Sequence, residues 1–148
     1  MNSRDRSLAA VVVLMAAVLL LLQQHELVAK RPLGLALQVL AAALMLWARI
    51  TFGTRSFHAG ANPTAGGLVT AGPYRYWRHP IYAAILLFVW SGVLGQGAMP
   101  TVLAIILALV ATVTTAVRIH SEERLLQASM PEYAAYAART KRLVPFLF

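Results

Sequence analysis

The sequence predicts an all-α integral membrane bundle: four transmembrane helices, a cytoplasmic loop and a short cytoplasmic C-terminal helix. Three observations carry that prediction. Of 148 residues, 59% are hydrophobic and only 12% charged, about half the charge that a soluble domain of ordinary composition carries. The apolar residues fall into four long runs rather than into amphipathic stripes. The basic residues, which give a net charge of +8, cluster at the ends of those runs. In a soluble protein such a charge would point to nucleic acid; here it points to membrane orientation and anionic lipid, and no nucleic-acid partner is expected. There is no cysteine, which excludes disulfides, thiolate nucleophiles and cysteine-based zinc sites.

The length fits a single domain, 1–148. The first transmembrane run is placed at about 8–24, after a polar start with Arg4, Asp5 and Arg6. A secretory signal would share the basic start and apolar centre, but Gln23-Gln24-His25-Glu26 is a poor cleavage site. Lys30-Arg31-Pro32 connects to a second run at 33–50, interrupted by Gln38, with Trp47 and Arg49 placed as interfacial anchors. The two runs are expected to form an antiparallel pair. Residues 51–79 hold Gly53, Gly60, Pro63, Gly66, Gly67, Gly72 and Pro73, which rule out a continuous helix. The third run, 80–95, opens on Pro80 and closes at Gly95-Gln96-Gly97. The fourth, 99–119, opens on Pro100, and its helical pattern continues beyond Arg118 through Leu126. Ser129 or Met130 is the expected cap of a last helix with Pro131 just inside it, carrying Tyr133, Tyr136 and Thr140 on one face. The apolar end, 144–148, is expected at the membrane interface.

Orientation follows from counting. With both termini on one side, that side holds eleven of the thirteen basic residues, leaving Lys30 and Arg31 opposite. The positive-inside rule then places both termini, the 51–79 loop and the tail in the cytoplasm. The Ala/Leu/Arg bias fits a GC-rich bacterium, so the inner membrane is the expected location.

Polar chemistry is concentrated in Gly72-Pro73-Tyr74-Arg75-Tyr76-Trp77-Arg78-His79-Pro80-Ile81-Tyr82 and in Glu122-Glu123. Free amides at the start of the third helix favour an anionic group, and Arg78 adds a forked cationic donor. Arg75 and Arg78 would also serve as plain anchors, and Tyr74, Tyr76 and Trp77 as an aromatic belt. On a helix, Glu122 lies one turn from Arg118, and Glu123 is within reach of Gln127 or His120; the alternative is a glutamate turned inward to receive Arg78 or a cationic cofactor. A metal site from His79, His120 and Glu123 is conceivable on spacing, but no fixed-spacing motif supports it and none is assigned.

The 72–82 stretch resembles the G-x-Y-x-x-x-R-H-P-x-Y signature of the isoprenylcysteine carboxyl methyltransferase family and related phospholipid methyltransferases. Glu122-Glu123-Arg124-Leu125-Leu126, then Pro131, Tyr133, Tyr136, Arg139, Arg142 and Pro145, look like that family's tail, although many relatives carry Phe-Gly where this chain has Met130-Pro131. The likeness covers about 68–146. It implies a membrane methyltransferase that uses S-adenosylmethionine, held between the two motifs on the cytoplasmic side, with a lipophilic acceptor arriving from the membrane lipid. It implies cofactor contacts from Tyr76, His79, Pro80, Tyr82, Glu122, Tyr133 and Tyr136, and catalytic roles for Arg78, facing the acceptor, and Glu123. A carboxylate, amine or thiol acceptor remains open. The competing expectation is a small non-catalytic membrane protein that binds anionic lipid or assists assembly or transport.

Overall fold

The computed structural model describes residues 3–53 and 67–143. Arg55, Gly60, Pro63, Gly66 and the 144–148 end lie outside the described residues. Five α-helices follow in order: α1 (Ser3–Gln23), α2 (Pro32–Phe52), α3 (Pro80–Leu94), α4 (Val102–Ser129) and α5 (Tyr133–Arg139), with a 3-10 turn at Gly72–Arg75 ahead of α3. α1, α2 and α4 are long and apolar enough to cross a membrane, and α3 is a shorter apolar helix of 15 residues. At 1.5 Å per residue that is about 22 Å, short of a hydrocarbon core of about 30 Å. The protein is an all-helical membrane bundle.

The expected pairing of the first two helices is wrong. α1 packs along α4, and α2 along α3. The reason is side-chain size. Apolar residues face lipid as readily as protein, so a helix chooses its neighbour by how closely the backbones can approach. On α1 the buried residues are Ser7, Ala10, Leu14, Ala17 and Leu21, a 3-4-3-4 repeat. On α4 they include Ala104, Ala108, Ala111, Thr115 and Arg118. α2 buries Gly34, Gln38, Ala41 and Ala48, and α3 buries Ala84, Ser91 and Gly92. Val12, Val39, Leu46, Ile106 and Val113, by contrast, are turned outward as a lipid-facing surface requires.

Two glutamines fasten the end of the bundle away from the termini. Gln38 donates to Leu27 O (2.7 Å) and Phe88 O (3.2 Å) and accepts from Ala29 N (3.1 Å). Gln96 donates to Glu26 O (3.1 Å), Val28 O (3.0 Å) and Gly92 O (2.8 Å). They satisfy backbone carbonyls of the 24–31 connection that would otherwise be buried without partners. Gln38, which looks like an interruption of an apolar run, is the peg that holds this connection. The opposite end gathers the start of α1, the end of α2, the 3-10 turn, the start of α3 and the end of α4.

The fourth helix continues well past its apolar run, as expected. The last helix starts later than expected. Ser129 donates its hydroxyl back to Leu125 O and remains in α4. Met130 N–H bonds Leu126 O (2.9 Å), Pro131 and Glu132 form the turn, and α5 begins at Tyr133. A proline one or two residues beyond a helix end is the familiar stop signal.

The close approach of the 24–31 connection to α3 gives a test. A Cβ at Gly92 would lie 2.0 Å from Leu27 O, whereas one at Gly97 would meet nothing within 4 Å. Gly92→Ala is expected to cost about 2 kcal/mol or more of stability, and Gly97→Ala less than about 0.5 kcal/mol, read by thermal unfolding in detergent.

Candidate active site

The 72–82 stretch folds as sequence chemistry dictates. Gly72 has φ +55°, and a Cβ there would meet Thr51 Oγ1 at 2.4 Å. Only glycine allows the chain to pass so close to the end of α2 in this conformation. Pro73 and Tyr74 are buried, Tyr74 against the Phe52 ring at 5.4 Å. The 3-10 turn then leads into residues 76–79, where Trp77 forms an isolated parallel bridge with Lys141. Pro80, also buried, starts α3 at the position where its missing N–H costs nothing.

This segment is paired with the end of the tail. Lys141 N–H bonds Tyr76 O (3.1 Å), Arg78 N–H bonds Lys141 O (2.7 Å), and His79 N–H bonds Arg142 O (3.1 Å). Tyr136 donates its hydroxyl to Tyr74 O (2.7 Å). Backbone therefore lays α5 and the residues after it across the start of α3. Burial pushes the Tyr136 phenol up to about 12. The Tyr133 phenol is raised too, first by burial and then by the Glu123 carboxylate. Both tyrosines stay neutral at physiological pH.

Beneath this strap lie the two glutamates at the end of α4. Glu123, 5% exposed, accepts from Arg78 Nε (2.9 Å) and Arg142 Nε (3.1 Å), with His79 Nε2 at 3.4 Å. Arg78 Nη1 reaches Ala137 O (2.8 Å) and Thr140 O (2.5 Å), closing the end of α5 over the carboxylate. Glu122 Oε1 accepts from Tyr82 O–H (2.5 Å) and Arg118 Nη2 (2.7 Å). Its Oε2 faces His79 Nδ1 at 3.8 Å. The buried His79 ring thus lies between both carboxylates. Beside the strap an open cleft of about 360 Å³ is lined by Arg78, Ala137, Arg139, Thr140, Lys141 and Arg142.

Of the residues picked out from the sequence, Arg78, His79, Tyr82, Glu122 and Glu123 meet in one hydrogen-bonded cluster. Tyr133 and Tyr136 are buried with rings 6.1 Å apart, Tyr133 near Glu123. Pro80 sets the start of α3. Tyr76 is 52% exposed, its ring edge-on to Trp77, and it joins the strap through its carbonyl. Glu123 turns inward to Arg78, not to Gln127 or His120, and His120 is exposed. Among the described residues no group of three or more His, Asp or Glu side chains is placed to hold a metal ion.

The sequence places Arg118 at the end of the fourth apolar run, one turn from Glu122. The pairing is present, but the residue is 6% exposed and also reaches Tyr82 and Ser7. Arg142 likewise belongs to the cluster. Arg118 continues the buried 104–108–111–115 seam of α4, and that register was the available signal.

A buried ion cluster at one end of an all-helical bundle defines an integral membrane protein with a polar site at the membrane boundary. Residues 33–128 match the model of the isoprenylcysteine carboxyl methyltransferase (ICMT) family, and the chain belongs to that family. The match takes in α2, the 72–82 motif and Glu122-Glu123, and stops before Tyr133. The chain is 38% identical over 122 residues to the cobalt-zinc-cadmium resistance protein CzcN of Cupriavidus metallidurans, covering 78% of this chain and 51% of that one. It is 44% identical over 82 residues to the nickel-cobalt-cadmium resistance protein NccN of Alcaligenes xylosoxydans xylosoxydans, covering 54% of this chain and 37% of that one. The chain therefore spans half or less of the length of these curated relatives. No solved structure matches it.

Removing one partner of a buried ion pair leaves the other charge uncompensated, at a cost of about 3 kcal/mol. Glu123→Gln is expected to destabilise the protein by about that amount and to release the tail. Trypsin should then cut at Arg139 and Lys141 several-fold faster than in the wild type, while cleavage at Lys30 stays unchanged.

Proposed function

We propose that this chain is a membrane methyltransferase that moves a methyl group from S-adenosylmethionine to a lipophilic small-molecule or lipid acceptor. The observation that carries the reading is the meeting of the His79–Tyr82 and Glu122–Glu123 motifs under the tail, in a chain that belongs to the ICMT family. The donor set fits a cationic, partly aromatic cofactor. Glu122 Oε2 accepts no hydrogen bond among the described residues, and the Glu122 side chain is 20% exposed. The buried Tyr133 hydroxyl and Trp77 Nε1 have no hydrogen-bond partner among the described residues either. One free carboxylate oxygen, two free donors and the Tyr82 and Tyr133 rings suit a positively charged sulfur and ammonium with a polar nucleoside.

S-adenosylmethionine, when bound, would supply an electrophilic methyl group on a sulfonium, open to in-line attack by the acceptor's lone pair, with the neutral thioether leaving on the C–S bonding pair. The residues that would hold it are Glu122, His79, Tyr82, Tyr133 and Trp77. The work left to this chain is alignment and exclusion of water, which supply most of the help in such a displacement. Glu122 keeps a negative charge beside the cation. Arg78 holds the tail closed across the site through Glu123, Ala137 O and Thr140 O. For a carboxylate acceptor Arg78 Nη2, which makes no hydrogen bond among the described residues, is the remaining donor. For an amine acceptor, His79 or Glu122 takes the proton. The cofactor is made in the cytosol, and the basic residues flanking this end favour the cytoplasmic side of a bacterial inner membrane.

A second reading has a specific observation in its favour. Two relatives are named as metal resistance proteins, and Arg78, Arg118, Glu122 and Glu123 neutralise one another as a purely structural ion cluster would. On that reading the chain is a non-catalytic accessory that binds anionic lipid or assists assembly or transport in metal resistance.

Incubating membranes from cells with and without the gene with methyl-labelled S-adenosylmethionine separates the two. Organic-extractable label is expected only with the gene. It should appear in inside-out vesicles and be lower by tenfold or more in sealed right-side-out ones. No gene-dependent label in either preparation, with folded protein present, would leave the second reading standing.

A further inference from the structure

Ser7 is the one polar residue among the described buried side chains of α1, and it is fully buried. It does not cap or bend the helix. Its hydroxyl and carbonyl oxygens accept from Arg118 Nη1 at 3.2 and 3.4 Å. The same guanidinium donates through Nε to the Tyr82 hydroxyl (2.6 Å) and through Nη2 to Glu122 Oε1 (2.7 Å). Its Cζ lies 5.7 Å from the centre of the Tyr82 ring. One planar, always-charged group therefore ties α1, α3 and α4 together by its fork geometry.

The consequence lies at Glu122. Tyr82 and Arg118 both bond to the same oxygen, Oε1, and this fixes the carboxylate plane. Oε2 is left turned toward His79 (3.8 Å). An isolated Arg118–Glu122 pair one turn apart on an exposed helix would hold neither rotamer nor plane, and would be worth a few tenths of a kcal/mol. Burial and the Ser7 anchor change that. With Nη1 held on α1, the guanidinium has one orientation in which its other two nitrogens meet Tyr82 and Glu122.

From this geometry we infer that Ser7 and Arg118 are positioning residues. Ser7 orients Arg118, and Arg118 sets which oxygen of Glu122 is presented to the cofactor's positive charge. The inference rests on the reading above that Glu122 receives that charge. It brings in α1, which lies outside the 33–128 family match, as the source of a residue the site depends on.

The test is calorimetric titration of the purified full-length chain with S-adenosylmethionine, alongside its melting temperature without ligand. Ser7→Ala removes the hydroxyl acceptor at a site where alanine suits the helix. It is expected to lower the melting temperature by a few degrees, because a buried guanidinium N–H loses an acceptor, and to raise Kd about tenfold. Ser7→Thr, which restores the acceptor, should bind within about twofold of the wild type. Arg118→Lys keeps the charge but loses the fork, and should raise Kd by more than tenfold. Wild-type protein that binds, with Ser7→Ala and Arg118→Lys both within twofold of it, overturns this inference and leaves the parent reading intact. Weakening that follows a fall in melting temperature, and that Ser7→Thr does not rescue, makes the role structural and overturns it as well. Folded wild-type protein that does not bind removes the parent reading and this inference together.

Discussion

Two adjacent carboxylates near the end of a membrane helix, Glu123 buried and Glu122 half-buried, are the constraint around which this protein is arranged. Neither belongs there alone. A buried glutamate without partners would take up a proton or unfold its surroundings, because desolvation of the charge costs several kcal/mol. Adjacent residues on a helix point about 100° apart, so Glu122 and Glu123 need separate sets of partners. Glu123 is met from the tail side by Arg78 and Arg142. Glu122 is met from the bundle side by Arg118 and Tyr82. His79 stands between them. The tail strap, the tight turn at Gly72 and the register of α1 on α4 are each the means by which one of these partners is brought into reach.

That arrangement divides the molecule into a scaffold and a site. The far end is closed by neutral amide groups, Gln38 and Gln96, each satisfying several carbonyls of the 24–31 connection. Glycines let the backbones touch there, and Glu26 Oε1 accepts from Thr101 N–H (3.3 Å). Buried polar atoms without a partner among the described residues occur at both ends: Glu26 Oε2 and Gln96 Oε1 at the far end, Tyr133 O–H and Trp77 Nε1 at the near end. What sets the near end apart is the ionic cluster where α4, the start of α3 and the tail converge.

Much of this was legible in the sequence, for reasons that differ between elements. The four apolar runs were visible because lipid tolerates only closed backbone hydrogen bonding, which leaves a strong imprint on composition. The 72–82 and 122–136 motifs were visible because their residue types are costly in a membrane protein unless used. The helix pairing was not legible, since α1 and α2 are apolar on every side and hydrophobicity cannot tell a lipid face from a protein face. The small-residue repeats at Ala10, Ala17, Ala41 and Ala48 held that information. The pairing of Arg118 with Glu122 was legible from their spacing, whereas its contacts to Tyr82 and to Ser7, more than a hundred residues away, were not. The start of α5 was placed early because Ser129 resembles a cap, although its hydroxyl bonds back into α4.

The central claim is that the two motifs, with the tail, form one binding site at one end of the bundle. Hydrogen–deuterium exchange of the full chain in a lipid nanodisc, with and without S-adenosylmethionine, tests it most directly. The account predicts that ligand slows exchange together in 74–83, at the end of α4 and in 133–142, and leaves the 24–31 connection unchanged. Exchange that stays the same throughout in folded protein, or slows in only one of the three segments, would contradict it.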